Sequence, residues 1–178
     1  GKDTFINQRG ECSNLFFINN EEFCFICQDF QLDIRHIVVY NCKKNAENYV
    51  YDADWALQQV CVTNDRSCLY FHNKTLHEVA IESGKVKSGK EKWNYEFPAN
   101  VLSITMADNI CGVTCSNGQS YFFDMKTREL INSMSGDSEG YYMLTVNTNF
   151  ACMRDYWGQN IRIYKRQSYD SEEIISKD

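Results

Sequence analysis

Hydrophobic and polar positions along the chain fall into short apolar stretches separated by turns rich in Asn, Asp and Ser. Ile161 and Ile163 flank Arg162, the period-two alternation of a strand with one buried face. Ser116-Asn117-Gly118 lies between two apolar runs and reads as a tight turn joining two strands. No twelve-residue segment carries the i, i+3, i+4 stripe of an amphipathic helix, so a helical repeat is disfavoured. The pattern predicts strands from end to end.

Laid against itself, the chain repeats. Four segments each hold an apolar stretch, a short Asn/Asp turn, a Cys-bearing strand, then a further strand. Aligned on Cys24, Cys68, Cys111 and Cys152, the copies stand 44, 43 and 41 residues apart. A period of about 40–45 residues built from short strands is that of four-stranded propeller blades. The expected blades are residues 12–54, 55–99, 100–140 and 141–178, within one domain of residues 1–178. Wetter stretches at 91–97 and 128–134 are expected as outermost strands, and Ile174-Ile175 marks a last outer strand near the C-terminus.

The third copy carries a family resemblance. Residues 115–130 run Cys-Ser-Asn-Gly-Gln-Ser-Tyr-Phe-Phe-Asp-Met-Lys-Thr-Arg-Glu-Leu: a small residue, a Gly turn, an aromatic-Asp pair and a polar turn. This resembles the second turn and third strand of a WD40-like blade. Phe123-Asp124 stands where that family has Trp-Asp; the other copies have Asn41-Cys42, Glu82-Ser83 and Lys165-Arg166, and the Gly-His opening pair is missing. The resemblance implies an all-β fold of WD40-like β-propeller blades, each of four antiparallel strands. About four such blades fit in this chain, a partial or split propeller. Such rings usually close with seven or eight blades, because closure removes exposed sheet edges. Four blades of this kind leave two open faces, so either the remaining blades lie outside this sequence, or a second chain completes the propeller, or two copies pair as a homodimer.

The resemblance also implies a ligand-gathering end, formed by the loops between second and third strands with the inter-blade loops. Carried onto this chain it includes Phe30, His72, residues 116–118, Arg154, Asp155, Tyr156 and Trp157. Tyr, Trp and Arg dominate interface hot spots, and all three meet at residues 154–157. Trp157 has a second reading, as a ring packed between blades. The implied function is a non-catalytic protein–protein interaction scaffold for peptides or subunits of a larger assembly.

Composition narrows the alternatives. The 43% hydrophobic and 24% charged fractions are ordinary for a globular domain, and the 14% aromatic content suits pleated surfaces. A net charge of −6 argues against broad attraction to phosphate backbones, so RNA binding is a minor alternative. The basic groups at 85–92 and 162–166 read as solvated surface. No apolar run reaches the roughly 18 residues of a membrane-spanning helix, and the start lacks signal-peptide order. Nine cysteines at scattered spacings do not form a secreted disulfide framework, so an intracellular protein is expected.

Candidate chemistry is sparse. Cys24 and Cys27 would point to opposite faces of one strand, which defeats metal or redox pairing. The recurrent cysteines are expected to share one job, as small hydrophobes packed near the propeller axis. His36, His72 and His77 are scattered over two copies and are not expected to hold a metal. Asp52, Asp54, Asp108, Asp124 and Asp155 are expected at turns. No catalytic residue and no cofactor is expected. The competing reading is a hydrolase or cation-dependent enzyme using carboxylates at the central channel, which would need polar axis-facing side chains; Cys, Ala and Phe are expected there instead.

Overall fold

Sixteen strands and no helix occupy the residues that the computed structural model describes: 11–32, 34–53, 59–63, 65–81, 90–135, 141–146, 149–155, 160–165 and 172–176. The first sheet holds β1 (Cys12–Phe17), β2 (Glu22–Asp29), β3 (Ile34–Asn41) and β4 (Ala46–Ala53). The second holds β5 (Val60–Val62), β6 (Ser67–His72), β7 (Thr75–Ala80) and β8 (Glu91–Glu96). The third holds β9 (Val101–Ala107), β10 (Ile110–Cys115), β11 (Gln119–Asp124) and β12 (Glu129–Ser135). The fourth holds β13 (Tyr141–Val146), β14 (Phe150–Asp155), β15 (Asn160–Lys165) and β16 (Glu172–Ser176). Each sheet is an antiparallel meander paired in chain order. The all-β fold of four-stranded blades expected from the sequence is the fold observed.

Turn chemistry explains the meanders. Asn45 and Asn73 take φ of 51°, Asp108 takes 55° and Gly118 takes 79°, all at strand reversals. These residue types tolerate the left-handed region that tight turns require. A register shift recurs between third and fourth strands in the first three sheets, at Ile37/Val38, Glu78/Val79 and Phe122/Phe123. Such bulges add twist, which is how blades fan around an axis.

Because side chains alternate along a strand, each sheet has a face toward the next sheet and a face toward the previous one. We call these leading and trailing. The core forms where they meet. Cys24, Ile26, Ile37 and Val39 of the first sheet pack on Val60, Cys68, Tyr70 and Val79 of the second. Leu69, Phe71 and Leu76 lead from the second sheet onto Cys111, Val113, Tyr121 and Phe123 of the third. Ile110 and Phe122 then meet Val146, Ala151, Met153 and Tyr164 of the fourth. Among the described residues, no cluster joins the fourth sheet to the first; the trailing face of the first sheet forms its own cluster of Phe25, Cys27, Val38 and Tyr40.

Two expectations are corrected. The recurrent cysteines do not share one job: Cys24 is the third residue of β2 and Cys152 the third of β14, whereas Cys68 and Cys111 are second in β6 and β10. A one-residue offset in a period-two strand reverses the face. Cys24 therefore leads and Cys68 trails, so their sulfurs meet 4.0 Å apart across the first boundary. Asp52 lies inside β4, opposite His36, rather than in a turn. Cys24 and Cys27 do face opposite ways, into different clusters.

Candidate binding faces

In a meander, the turns after every second strand lie at one end of the sheet. The β2–β3, β6–β7 and β10–β11 turns thus share an end within their sheets, and β14 runs toward the equivalent end of the fourth. Phe30 projects into solvent at 58% exposure in the first of these turns, beside exposed Leu32. The Asp29 carboxylate holds that turn by accepting from the Gln31 and Leu32 amides at 2.8 and 3.2 Å. His72 is half-buried, its Nε2 3.1 Å from Asn73 Nδ2. Asn117 Oδ1 accepts from the Gln119 amide at 3.2 Å beside Gly118. Arg154 is exposed near the end of β14 and Asp155 closes that strand. Tyr156 and Trp157 lie outside the described residues.

At the inner edge, the first strands of three blades converge on a cavity of about 660 Å³. Its lining mixes apolar Phe16, Ile18 and Val62 with polar Asn14, Gln59, Thr63 and Thr105. Gln59 Oε1 crosses between blades to accept from the Ile104 amide at 2.9 Å. The expected Phe and Cys are there as Phe16, Phe17 and Cys61, but polar side chains share the lining, which the expectation did not include. The inner strands are half-exposed, so polar side chains satisfied by solvent and neighbouring backbone are tolerated there.

A set of residues that pattern reading passed over lies between blades. Glu22, on the leading face of β2, receives Arg66 Nη1 of the next blade at 2.6 Å. Asn19 Nδ2 adds a bond at 3.0 Å and Asn41 Nδ2 one at 3.3 Å. The Arg66 hydrogen bond leads in holding the Glu22 carboxyl down at about 2, against partial burial. At the next boundary, Glu78 of β7 is fully buried and takes Arg128 of the third blade in a fork, Nε at 2.8 Å and Nη2 at 2.7 Å. Arg128 Nη2 also reaches Asp65 at 2.8 Å, and Lys92 Nζ binds Asp65 at 3.0 Å and Ser67 Oγ at 2.7 Å. Partial burial pushes Asp65 up, but the Thr63 hydroxyl, Lys92 and Arg128 outweigh it and hold the group well below its usual range. Glu78 and Asp65 hold the Arg128 guanidinium firmly protonated.

Both arginines sit in turns with left-handed backbones, φ 61° at Arg66 and 62° at Arg128. That conformation is uncommon outside Gly, Asn and Asp, and costs about 1 kcal/mol or more. It aims each guanidinium back at the preceding blade. No sequence signal points to these residues, the repeat alignment included: Arg66 follows a first strand and Arg128 a third, while Glu22 is on a second strand and Glu78 on a third.

Burial works against thiolate chemistry at Cys27, Cys61 and Cys115. Burial pushes Cys61 and Cys115 up to about 12; burial, then neighbouring Cys12, does the same for Cys27. Among the described residues, no group of three His, Cys, Asp or Glu side chains could hold a metal ion.

No protein-family profile matches the sequence, and comparison with curated proteins finds no match. Solved structures do match. The crystal structure of the RRP9 WD40 repeats superposes with a TM-score of 0.71 at 7% identity, over 96% of this chain and 52% of that one. A chain from the mitotic checkpoint complex gives 0.65 at 11% identity, over 97% of this chain and 56% of that one. The computationally designed Ika4 protein gives 0.66 at 12% identity, over 93% of this chain and 98% of that one. The sheets are thus propeller blades. More particularly, they have the WD40-like fold, and the chain spans about half the length of the natural WD40 structures it matches.

Proposed function

We propose that this protein is a non-catalytic protein–protein interaction scaffold, docking peptides or subunits of a multiprotein assembly through its propeller loops and blade faces. The observation that carries this reading is the contrast in exposure at the loop end. The turn bearing Phe30 and Leu32 presents two large apolar side chains on a hydrogen-bonded turn, while the equivalent turns at residues 73–74 and 116–118 are polar. A preorganised turn loses little entropy on binding, so exposed anchors on it are efficient. Phe30, His72, Arg154, Asp155, Tyr156 and Trp157 are the proposed partner-binding residues. The likeness to a mitotic checkpoint complex chain is compatible with a place inside an intracellular assembly. The acidic net charge favours protein over nucleic-acid partners.

The test is proximity crosslinking of the full chain in cells, comparing Phe30→Ala, Trp157→Ala and an outer-strand control, Ile131→Ser. Loss of the same identified partner from the two loop-end variants, with unchanged circular dichroism and an unaffected control, is the expected result. Equal recovery by all three would contradict the loop end. Loss of folding in Trp157→Ala would instead make that ring an inter-blade residue.

A further inference from the structure

Two cysteines of the first blade stand directly opposite each other on neighbouring strands. Cys12, the first residue of β1, pairs in register with Cys27 of β2. Among the described strand pairs, no other register position joins two cysteines. A regular β1 would not give this match. Continued from Phe16, which opposes Cys24, an unbroken ladder would set Cys12 against Gln28. One extra residue between Ser13 and Phe16 shifts the register, with Asn14 in the left-handed region at φ 52°. Asn tolerates that backbone, and such bulges re-aim the strand they bend. Here the bulge turns Cys12 onto the face of Cys27.

Backbone bonding fixes which kind of pair this is. The Gln28 amide donates to the Glu11 carbonyl at 2.9 Å, one step along the same register. Hydrogen-bonded and non-hydrogen-bonded pairs alternate along an antiparallel ladder, so Cys12 and Cys27 form a non-hydrogen-bonded pair. Such pairs hold their Cα atoms about 4.5 Å apart with side chains close, within the span a disulfide bridges. The thiols themselves are in contact, Cys27 donating a hydrogen bond to the Cys12 sulfur. Burial is the larger effect on Cys12 and raises its thiol, this bond opposes the rise, and Glu47 adds to it. Cys27 is pushed up to about 12 by burial, then by the charge of Cys12 and by donating to it, with Glu47 and Asp29 adding. The thiolate therefore forms more readily at Cys12.

We propose that Cys12 and Cys27 are a dithiol redox site, closed to a cross-strand disulfide by exchange with a small disulfide such as oxidised glutathione. The Cys12 thiolate attacks one sulfur of the small disulfide, forming a mixed disulfide, and the displaced thiolate takes up the proton that Cys12 released. The Cys27 sulfur then displaces the second thiolate from Cys12 and gives it the Cys27 proton. The protein loses two electrons and two protons, and both pass to the small disulfide, which leaves as two thiols. A high thiol pKa slows this attack, but it also slows the reverse, because a basic thiolate leaves poorly. The bond therefore persists once formed. It ties β1, an edge strand that lines the axial cavity, to the strand that carries the β2–β3 turn. Cys24 and Cys68 also approach, at 4.0 Å, but both are sealed in the core on facing sheets. The inference stands apart from the scaffold reading and needs no partner.

The test adds oxidised glutathione to the reduced full chain at mildly alkaline pH, alkylates the remaining thiols and maps an unreduced digest by mass spectrometry. The expected product is a chain two hydrogens lighter, with peptides joined through Cys12 and Cys27. Cys27→Ser should hold glutathione on Cys12 as a stalled mixed disulfide, whereas Cys12→Ser should hold none on Cys27. Moving the thiol one place, Cys12→Ser with Ser13→Cys, turns it to the other face and should abolish the bond. Mere nearness along the chain would leave the bond in place after that move, so the pair of variants separates register from sequence proximity. Circular dichroism selects the variants that keep the wild-type fold. No Cys12–Cys27 bond in the folded wild type, no stalled adduct on Cys12, or a bond that survives the one-residue move would each overturn the proposal. A bond between Cys24 and Cys68 in its place would overturn it as well.

Discussion

The boundary between the first and second blades and the boundary between the second and third solve one problem with different commitments. Both place an acid on a leading face and an arginine from a left-handed turn on the next blade. At the first, Arg66 is 40% exposed and Glu22 keeps some contact with water. At the second, Glu78 is sealed and Arg128 serves two carboxylates. An exposed pair contributes little, because water competes for both ions. A sealed pair contributes little net stability either, yet is costly to break from one side, because the remaining charge has no solvent to return to. The second boundary is therefore the brittle one.

The largest effect should come from breaking that boundary. Arg128→Ala removes both forked hydrogen bonds from the buried Glu78 carboxylate, leaving it Lys92 Nζ at 3.5 Å, and should cost about 3 kcal/mol in chemical denaturation. Replacing both partners sharpens the comparison. Glu78→Leu combined with Arg128→Met removes both charges and should recover most of that loss, since a well-packed apolar pair at such a site is about neutral. Failure to recover would show that Arg128 acts chiefly through Asp65.

At the first boundary the effects are smaller and depend on pH. Arg66→Ala should cost about 1 kcal/mol near neutral pH. Glu22 has its folded-state pKa depressed to about 2, so the stability it contributes is present above its ordinary value of 4.5. That contribution is lost as pH falls from about 4.5 toward 2. Asp65 is shifted in the same direction and adds to the acid loss. In Arg66→Ala the Glu22 share should shrink to what the Asn19 and Asn41 hydrogen bonds support, making the stability profile shallower between pH 5 and 2; an unchanged slope would rule out the Arg66–Glu22 pair as its source. The smallest expected effect is at a turn: Gly118→Ala, at φ 79°, should cost about 1 kcal/mol without altering either boundary.

The architecture was legible because its cause is periodic. Alternation marked the strands, and Asp108 and Gly118 marked reversals that need left-handed backbones. What stayed hidden depends on parity. A repeat aligned on Cys24, Cys68, Cys111 and Cys152 carries no information on which face each thiol takes, and one residue of offset separates leading from trailing. The Glu78–Arg128 fork joins residues fifty apart through a turn whose arginine has an unfavourable conformation, a feature that propensity argues against. The axial lining was read in part, with Phe16, Phe17 and Cys61 present; polar Asn14, Gln59 and Thr105 were passed over because the repeat was aligned on second strands, whereas the first strands and the residues beside them meet at the cavity. Phe30, His72 and Arg154 were placed near one end of their sheets by strand count alone, which the meander topology reproduces.

Hydrogen exchange measured by mass spectrometry, on wild type and Arg128→Ala, tests the central claim that blades are coupled through paired acid–arginine boundaries. The account predicts that amides of β6, β7, β10 and β11 are strongly protected in the wild type. In the variant they should lose protection on both sides of the second boundary, while β2 and β3 change little. Loss confined to the turn around Arg128, or a uniform loss across all four blades, would contradict it.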